Sequence, residues 1–209
     1  MIIAIDGPTA SGKGTIAKAL ARHYDLPHLD TGLLYRAVGV HVLQQGGDPD
    51  VESDTARACA FPEALLNDPV LRSEAAGGLA SRVSRHPAVR AALLERQRAF
   101  AGQAGGALLD GRDIGTIIAP TADAKLFITA SIEARAQRRH AEMVARGESV
   151  TLAEIAADLA ARDERDRNRA SAPLTMADDA LLLDTSNLTI DAAVQRAIVM
   201  VDDRIKNRS

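Results

Sequence analysis

Residues Gly7–Thr15 read GPTASGKGT and stand between a short apolar run, Ile2–Ile5, and a helical pattern. The three glycines of this stretch allow successive backbone N–H groups to turn inward around a polyphosphate, and the N-terminus of the following helix adds positive charge. The usual motif places Ser or Thr directly after its lysine, whereas here Gly14 separates Lys13 from Thr15. We expect Lys13 to reach the β- and γ-phosphates of a nucleoside triphosphate and the Thr15 hydroxyl to face Mg²⁺. The predicted nucleotide-binding loop comprises Gly7, Pro8, Thr9, Ala10, Ser11, Gly12, Lys13, Gly14 and Thr15.

Short apolar runs alternate with helical patterns along the rest of the chain. This alternation is typical of βα units around a parallel sheet, whose strands are covered on both faces and are therefore apolar. Thr151 and Glu154 form a capping box before one helical stripe, and the last helix is predicted to start at Thr189. The pattern predicts an α/β fold with five strands: Ile2–Ile5, His28–Leu29, Ala107–Leu109, Ala124–Thr129 and Ala180–Leu183.

Two segments interrupt this rhythm. Val51–Arg98 is helical in pattern and contains no convincing strand, so it is predicted to be an inserted helical subdomain. Glycine pairs at 46–47 and 105–106 bracket it as flexible boundaries. The second segment, Arg135–Arg169, is predicted to be a pair of helices broken near Gly147.

Composition excludes several functional classes. The 25 basic and 28 acidic side chains give a net charge of -3, and aromatic residues make up only 2% of the chain, so we expect no nucleic-acid partner. A lone cysteine, Cys59, excludes an internal disulfide framework and favours the reducing cytoplasm. The N-terminus lacks the basic start of a signal peptide, and no apolar run approaches the roughly 20 residues of a membrane span. Arginine outnumbers lysine by 21 to 4, which genome bias alone could explain.

A nucleotide-binding loop does not identify the phosphoryl acceptor. The sequence lacks the Asn-Lys-x-Asp motif with which GTPases recognise guanine. It also lacks a strict Walker B strand followed by a catalytic glutamate, which is typical of simple ATPase motors. Transfer to a second small substrate is therefore favoured over hydrolysis.

Charged residues follow two of the predicted strands, and ligands of open parallel sheets bind outside the carboxyl ends of strands. Residues 30–36 read DTGLLYR and residues 110–116 read DGRDIGT. Charged loops are commonly only solvated, but both of these are predicted to lie at the same edge of the sheet as the phosphate loop. We therefore expect them to contribute to one site.

A third charged segment, RDERDRNR at 162–169, ends the second helix of the smaller interruption. Arg162, Asp166 and Arg169 are spaced i, i+4 and i+7, on the helix face that Ile155 and Leu159 occupy earlier. This helix face is apolar where it packs on the protein and charged towards its end, which suggests that the charged part binds a polyanion that carries hydroxyl groups. The alternative is that the charged residues form a solvent-exposed helix face with no ligand.

Taken together, these segments resemble the bacterial cytidylate kinases, which are nucleoside monophosphate kinases of the P-loop group. The resemblance rests on five motifs in order: IDGPTASGKGT at 5–15, LDTGLLYR at 29–36, ASRVSRHPAVRAALLERQRAF at 80–100, DGRDIGT at 110–116 and RDERDRNRASAPL at 162–174. It implies a three-layer α/β/α P-loop kinase with a five-stranded parallel sheet, a short lid and a mostly helical insert. It also implies one domain over 1–209, with a core (about 1–45, 105–132 and 170–209), a monophosphate-binding insert (about 46–104) and a lid region (about 133–169).

Members of this family transfer the γ-phosphoryl group of ATP to CMP or dCMP with Mg²⁺. The resemblance implies that the residues of this chain at the matching positions have the same roles. The residues matching the family's cytosine readers are Ser81, Arg90 and Asp113. Those matching arginines around the monophosphate are Arg36, Arg112 and Arg169, and those matching the ribose-binding pair are Arg162 and Asp166. Asp30 and Thr31 complete the implied substrate-binding set. The implied catalytic residues are Lys13, Arg112, Arg138 and Arg169, although the sequence does not choose among the lid arginines Arg135, Arg138 and Arg139.

One departure from the family separates this chain from many relatives. Phe61–Gly78 is too short and too rich in alanine to hold the small β-sheet that many of them carry in the insert, so we expect helices there. A related kinase acting on UMP or AMP, or a nucleotide-dependent regulatory protein, remains an alternative. We expect a monomer with small-molecule substrates and no membrane or nucleic-acid partner.

Overall fold

The computed structural model describes residues 1–169 and 171–207 of the chain. The strands among them are β1 (Ile2–Asp6), β2 (His28–Asp30), β3 (Ala107–Gly111), β4 (Ala124–Thr129) and β5 (Leu181–Asp184). All five predicted strands are confirmed. β1, β2 and β3 end one or two residues later than the apolar pattern indicates, and β5 both begins and ends one residue later. The added residues are aspartate or glycine, and those of β1 and β3 are still buried, so backbone pairing and burial both continue past the point where the apolar pattern ends.

The strands form one sheet in the order β2-β3-β1-β4-β5, and β1 pairs in parallel with both β3 and β4. Asp6 of β1 stands opposite Gly111 of β3 and Phe127 of β4, while Thr129 of β4 stands opposite Asp184 of β5. This register brings the segments that follow β1, β3 and β5 to the same carboxyl edge, where ligands of such sheets bind.

The helices lie on both sides of the sheet, as the α/β fold predicted. Over the whole of the described residues, the helices are α1 (Lys13–His23), α2 (Thr31–Gln44), α3 (Glu52–Ala58), α4 (Glu74–Val83), α5 (Pro87–Ala101), α6 (Ile132–Ala145), α7 (Leu152–Arg167) and α8 (Ile190–Lys206). Short 3₁₀ turns cover Glu63–Asn67 and Pro69–Arg72, and a π-helical turn covers Ile114–Ile118.

Local sequence accounts for where these helices begin and which faces they bury. The predicted capping box of α7 is present, with Thr151 and Glu154 each accepting from the other's backbone N–H. Thr189 caps α8, one residue before the helix, as expected. On α8 the residues spaced four apart, Ala193, Ala197 and Val201, are buried in the core cluster that also holds β1 and α1 side chains.

The chain divides into two compact units, Met1–Leu29 with Gln103–Ser209, and Asp30–Gly102. The first unit contains the sheet from β1 to β5 and helices α1, α6, α7 and α8. The second unit, all of whose residues the structure describes, contains only helices beyond the end of β2, so the predicted mostly helical insert is confirmed. Within it α2 packs closely on α4, since a Cβ on Gly39 would come within 2.6 Å of Leu79 Cβ.

One helical boundary differs from the expected spacing. Helix α7 ends at Arg167, and the Asn168 N–H closes it on Glu164 O at 3.0 Å. The chain then folds back, so that Leu174 N donates to Asp166 O at 2.8 Å. Arg169 therefore lies beyond the helix, and the i, i+7 spacing that placed it on the α7 stripe was wrong. Among residues 1–169 and 171–207, no helix has both the length and the apolarity that crossing a bilayer requires.

Candidate active site

The phosphate loop joins β1 to α1 through backbone conformations that only certain residues adopt. Gly7 has φ +152°, and a Cβ there would lie 2.0 Å from Ile128 O of β4, so only glycine fits against the sheet. Gly12, with φ +87°, is the N-cap of α1, and Lys13 is the first helical residue. Within the described helix α1, the first turn carries no acidic side chain to neutralise the positive N-terminus. The loop therefore presents a backbone suited to an anion.

A cavity of about 390 Å³ opens beside this loop, within the size range of ligand sites. The loop residues Ser11 and Thr15 line one side, and Arg138 of α6 and Thr185 after β5 line another. The Thr185 hydroxyl donates to Ser11 O at 2.9 Å, while Arg138 donates to the Thr185 hydroxyl at 3.0 Å and to its carbonyl. Thr185 thus connects the phosphate loop to Arg138, a role that sequence reasoning missed.

Arg112, in the turn after β3, bridges the phosphate loop and α7. Its Nε donates to Asp166 Oδ2 at 2.8 Å, and its Nη2 donates to the Thr9 hydroxyl. Burial alone would raise the pKa of Asp166, but the charge and hydrogen bond of Arg112, with the charges of Arg169 and Arg162, hold that pKa below its ordinary value. Predicted residues from two separate motifs therefore meet beside the phosphate loop.

The three lid arginines occupy different environments. Arg135 is buried and donates to both oxygens of Asp163 at 3.1 and 2.6 Å, to Ala130 O and to Thr9 O. Arg138 and Arg139, in contrast, line the cavity. The geometry thus separates a buried arginine, committed to internal partners, from two that border the predicted nucleotide site.

Asp113 lies in the same turn as Arg112 and is buried, with only 4% of its surface exposed. The peptide that follows it is held by Asp6, whose two carboxylate oxygens accept from Ile114 N and Gly115 N, each at 2.8 Å. Burial, with a smaller contribution from the charge of Asp113, raises the pKa of Asp6 to about 7, although these two hydrogen bonds and the charge of Arg112 act in the opposite direction. Sequence reasoning assigned Asp6 no role, although an acidic residue at the end of an apolar strand was a visible signal.

Two other buried carboxylates were also missed. Asp163 follows Ile155 and Leu159 at intervals of four, so an acidic residue at a core position of α7 could have indicated its buried partner. Asp110, the first residue of the DGRDIGT motif, lies 2.7 Å from His28 Nε2 and links β2 to β3. Both are polar residues at positions where periodicity requires burial, and such residues are normally paired.

Two arginines of the second unit, predicted to bind the monophosphate and the base, are each held in place by neighbouring residues. Arg36 donates from Nη1 to Leu71 O at 2.7 Å and to Ser73 O at 3.3 Å. The Arg90 guanidinium lies over the Tyr35 ring, 5.7 Å from its centroid, and is largely buried. Both arginines are therefore held in defined positions by residues of their own unit.

The remaining predicted residues of this unit are near the start of α2 and in α4. Asp30 is the N-cap of α2, and its Oδ1 accepts from Gly32 N at 2.9 Å. Thr31 begins α2 and is buried, and Ser81 is buried within α4.

The sequence as a whole matches the family model described as "Cytidylate kinase" over residues 3–203. This chain belongs to the cytidylate kinase family. The resemblance drawn from five motifs is therefore confirmed. A "Cytidylate kinase" of Xanthobacter autotrophicus is 55% identical over 208 residues, covering 100% of each chain. Another, of a Caulobacter species (strain K31), is 56% identical over 204 residues, covering 96% of this chain and 94% of the relative.

Solved structures agree on the fold of this cytidylate kinase family member. An uncharacterized protein from Eubacterium ventriosum aligns over 97% of this chain and 98% of its own, with a TM-score of 0.57 and 17% identity. TT1252 from Thermus thermophilus aligns over 98% and 97%, with a TM-score of 0.50 and 20% identity. At these identities the likeness concerns the fold alone.

The side chains at the phosphate loop are compatible with the predicted Mg²⁺. Thr15 is exposed at the start of α1 and lines the cavity beside Gly12 and Gly14. Among residues 1–169 and 171–207, no group of three or more His, Cys, Asp or Glu side chains is placed to hold a metal ion. Mg²⁺ takes few protein ligands and completes its coordination shell with phosphate and water, so one hydroxyl oxygen at the predicted phosphate loop fits this ion.

Proposed function

We propose that this chain transfers the γ-phosphoryl group of ATP to CMP and dCMP, giving CDP and dCDP. The observation that carries the proposal is the cluster beside the phosphate loop: Arg112 joins Thr9 to Asp166, and the charges of Arg162 and Arg169 act on the same carboxylate. Such a concentration of arginines, with one carboxylate able to accept from hydroxyl groups, suits a phosphorylated ribose.

We assign the acceptor-binding roles as the family resemblance implies them. Asp113 accepts from the exocyclic amine of cytosine, and Ser81 and Arg90 donate to the ring carbonyl and nitrogen. A carboxylate suits the N4 amine of cytosine and would repel the O4 carbonyl that uracil presents there. The monophosphate is bound by Arg36, Arg112 and Arg169. The ribose hydroxyls are bound by Asp166 with Arg162, and Asp30 and Thr31 support the substrate from the start of α2.

The donor nucleotide is assigned to the phosphate loop and the cavity beside it. Lys13 and the α1 N-terminus bind the phosphates, and Arg138 approaches the transferred group from α6. When bound at Thr15, Mg²⁺ would neutralise charge on the phosphate oxygens. We also propose that residues 133–169 act as a lid over this site.

Catalysis then depends on position and charge. The acceptor oxygen and the γ-phosphorus must meet in line, and Lys13, Arg112, Arg138 and Arg169 stabilise the charge that develops on the phosphoryl oxygens. A general base is not required, because an oxygen of the acceptor monophosphate is already an anion. We further propose a cytoplasmic monomer that acts on small molecules, with no nucleic-acid or membrane partner.

The direct test measures kcat/KM for CMP, dCMP, UMP and AMP with ATP and Mg²⁺. We expect CMP and dCMP to be the preferred acceptors, and faster turnover of UMP or AMP would contradict the proposal.

The Asp113→Ala variant tests how the base is read. Loss of one base-specific hydrogen bond should penalise CMP relative to UMP by about 2 kcal/mol, or roughly 30-fold in the ratio of kcat/KM. Equal losses for both acceptors would show that Asp113 does not read the base.

A further inference from the structure

We propose that Asp6, the last residue of β1, is a positioning residue that fixes the turn after β3 and thereby sets the discrimination between cytosine and uracil acceptors. The inference rests on the role proposed for Asp113 in reading the base. Asp6 itself is not placed against the substrate. It acts through the backbone, because its Oδ1 and Oδ2 accept from Ile114 N and Gly115 N, both at 2.8 Å.

Asp6 anchors the turn at both of its ends. In the sheet register Asp6 stands opposite Gly111, the last residue of β3. Its carboxylate then binds the two peptides that follow Asp113. Between these anchors only Arg112 and Asp113 are left, so one residue of β1 constrains the backbone of both.

The turn has little freedom to shift away from this carboxylate. Asp6 is 5% exposed, and Ile114 is fully buried. A Cβ added to Gly115 would lie 3.3 Å from Asp6 Oδ2 and 3.2 Å from Lys125 Cδ, closer than most side-chain contacts. A displacement of the turn large enough to lose either hydrogen bond would therefore have to move packed neighbours.

The charged groups around Asp6 make its contribution dependent on pH. Asp113 and Arg112 face it from the turn, while Lys125 packs its methylene groups beside Gly115 and commits its ammonium to Pro120 O and Asp179. Burial raises the pKa of Asp6 to about 7. A protonated carboxyl has one strong acceptor oxygen instead of two, so one of the two backbone hydrogen bonds weakens below that pH.

The first test replaces Asp6 by Asn, which keeps the shape but turns one acceptor into a donor facing a peptide N–H. We expect the CMP-over-UMP ratio of kcat/KM to fall about tenfold, with the KM for ATP changed by less than about twofold, because the broken bond supports the base-reading turn. Asp123→Asn is the matched control. Asp123 Oδ2 accepts from Ile2 N at 2.7 Å at the opposite end of the same strand, and its variant should keep the wild-type ratio.

The second test follows the CMP-over-UMP ratio of the wild-type enzyme between pH 6 and pH 8. Both acceptors carry the same phosphate, so its ionisation cancels in the ratio. We expect the ratio to rise through the pKa of Asp6 and to be independent of pH in Asp6→Asn. Gly115→Ala, whose added methyl group pushes the turn away from Asp6, should also lower the CMP-over-UMP ratio. It serves as the test variant if Asp6→Asn does not fold.

The outcomes separate this inference from the proposed function. A wild-type enzyme with no preference for CMP would overturn the proposed function itself. A wild-type preference that survives unchanged in Asp6→Asn and Gly115→Ala, or that shows no change with pH, would overturn the role of Asp6. A parallel rise in the KM for ATP and CMP without a change in the ratio would reduce Asp6 to a purely structural residue and also overturn the inference.

Discussion

Removal of the Asp163 carboxylate is expected to destabilise the fold strongly. Arg135 and Asp163 are joined by two hydrogen bonds, and each side chain is 3% exposed. In Asp163→Ala the arginine stays buried without its counter-charge, a loss of about 3–5 kcal/mol. For a chain of this length the melting temperature should fall by roughly 6–20 °C, measured by circular dichroism with heating.

Two comparisons make this prediction specific to the buried charge. Asp158→Ala changes an exposed residue of the same helix and should alter stability by no more than about 0.5 kcal/mol. Adding Arg135→Met to Asp163→Leu should recover much of the loss, since no unpaired charge remains buried. Recovery should be incomplete, because the carbonyl of Thr9 then lacks its arginine donor. A melting temperature of Asp163→Ala within about 2 °C of the wild type would refute the reasoning.

Further predictions concern the nucleotide site and pH. Lys13→Ala should lower kcat with every acceptor while leaving the CMP-over-UMP ratio unchanged, as steady-state kinetics would show. Thr185→Val, which removes the hydroxyl that joins Ser11 and Arg138, should raise the KM for ATP several-fold and leave the KM for CMP within about twofold, consistent with loss of about one hydrogen bond. Asp6 binds its proton more tightly in the folded state, so its contribution to stability is complete below about pH 4 and is lost as the pH rises to about 7. Denaturant unfolding should show the wild type losing stability relative to Asp6→Asn over that window, by an amount on the order of 4 kcal/mol, and a pH-independent difference would contradict this account.

The order and type of the elements could be predicted from sequence because each depends on a local pattern. The apolar runs gave all five strands, and the capping box at Thr151 and the apolar spacing after Thr189 located α7 and α8. The end of α7 could not be obtained in this way. Charged residues continue the helical period past Arg167, whereas the helix stops where the chain folds back to bring Leu174 to Asp166. That reversal is a tertiary contact, which helical spacing does not encode.

The residues that support the site were harder to predict than those proposed to touch substrate. Arg112 and Asp166 stand in conspicuous charged motifs. Asp6 is a single acidic residue at the end of an apolar run, and Asp163, although it lies in the charged segment 162–169, continues the buried spacing of Ile155 and Leu159. Their partners are distant in the chain: Asp6 binds the peptides of Ile114 and Gly115, over 100 residues away. A sequence pattern indicates that such a carboxylate is buried, but it does not identify the hydrogen-bond donor or positive charge with which the carboxylate is paired.

The arrangement around Thr9 connects these supporting residues to the excess of arginine over lysine. Asp163 and Asp166, three residues apart on α7, each hold one arginine: Arg135 from α6 and Arg112 from the turn after β3. Both arginines then reach Thr9, one at its carbonyl and the other at its hydroxyl. Each guanidinium binds a carboxylate and the phosphate loop at once, which its planar set of five donors permits and a single ammonium would do far less precisely. Helix α7 therefore fixes the phosphate loop through two arginines, and at these positions the preference for arginine follows from geometry, whatever genome bias contributes elsewhere.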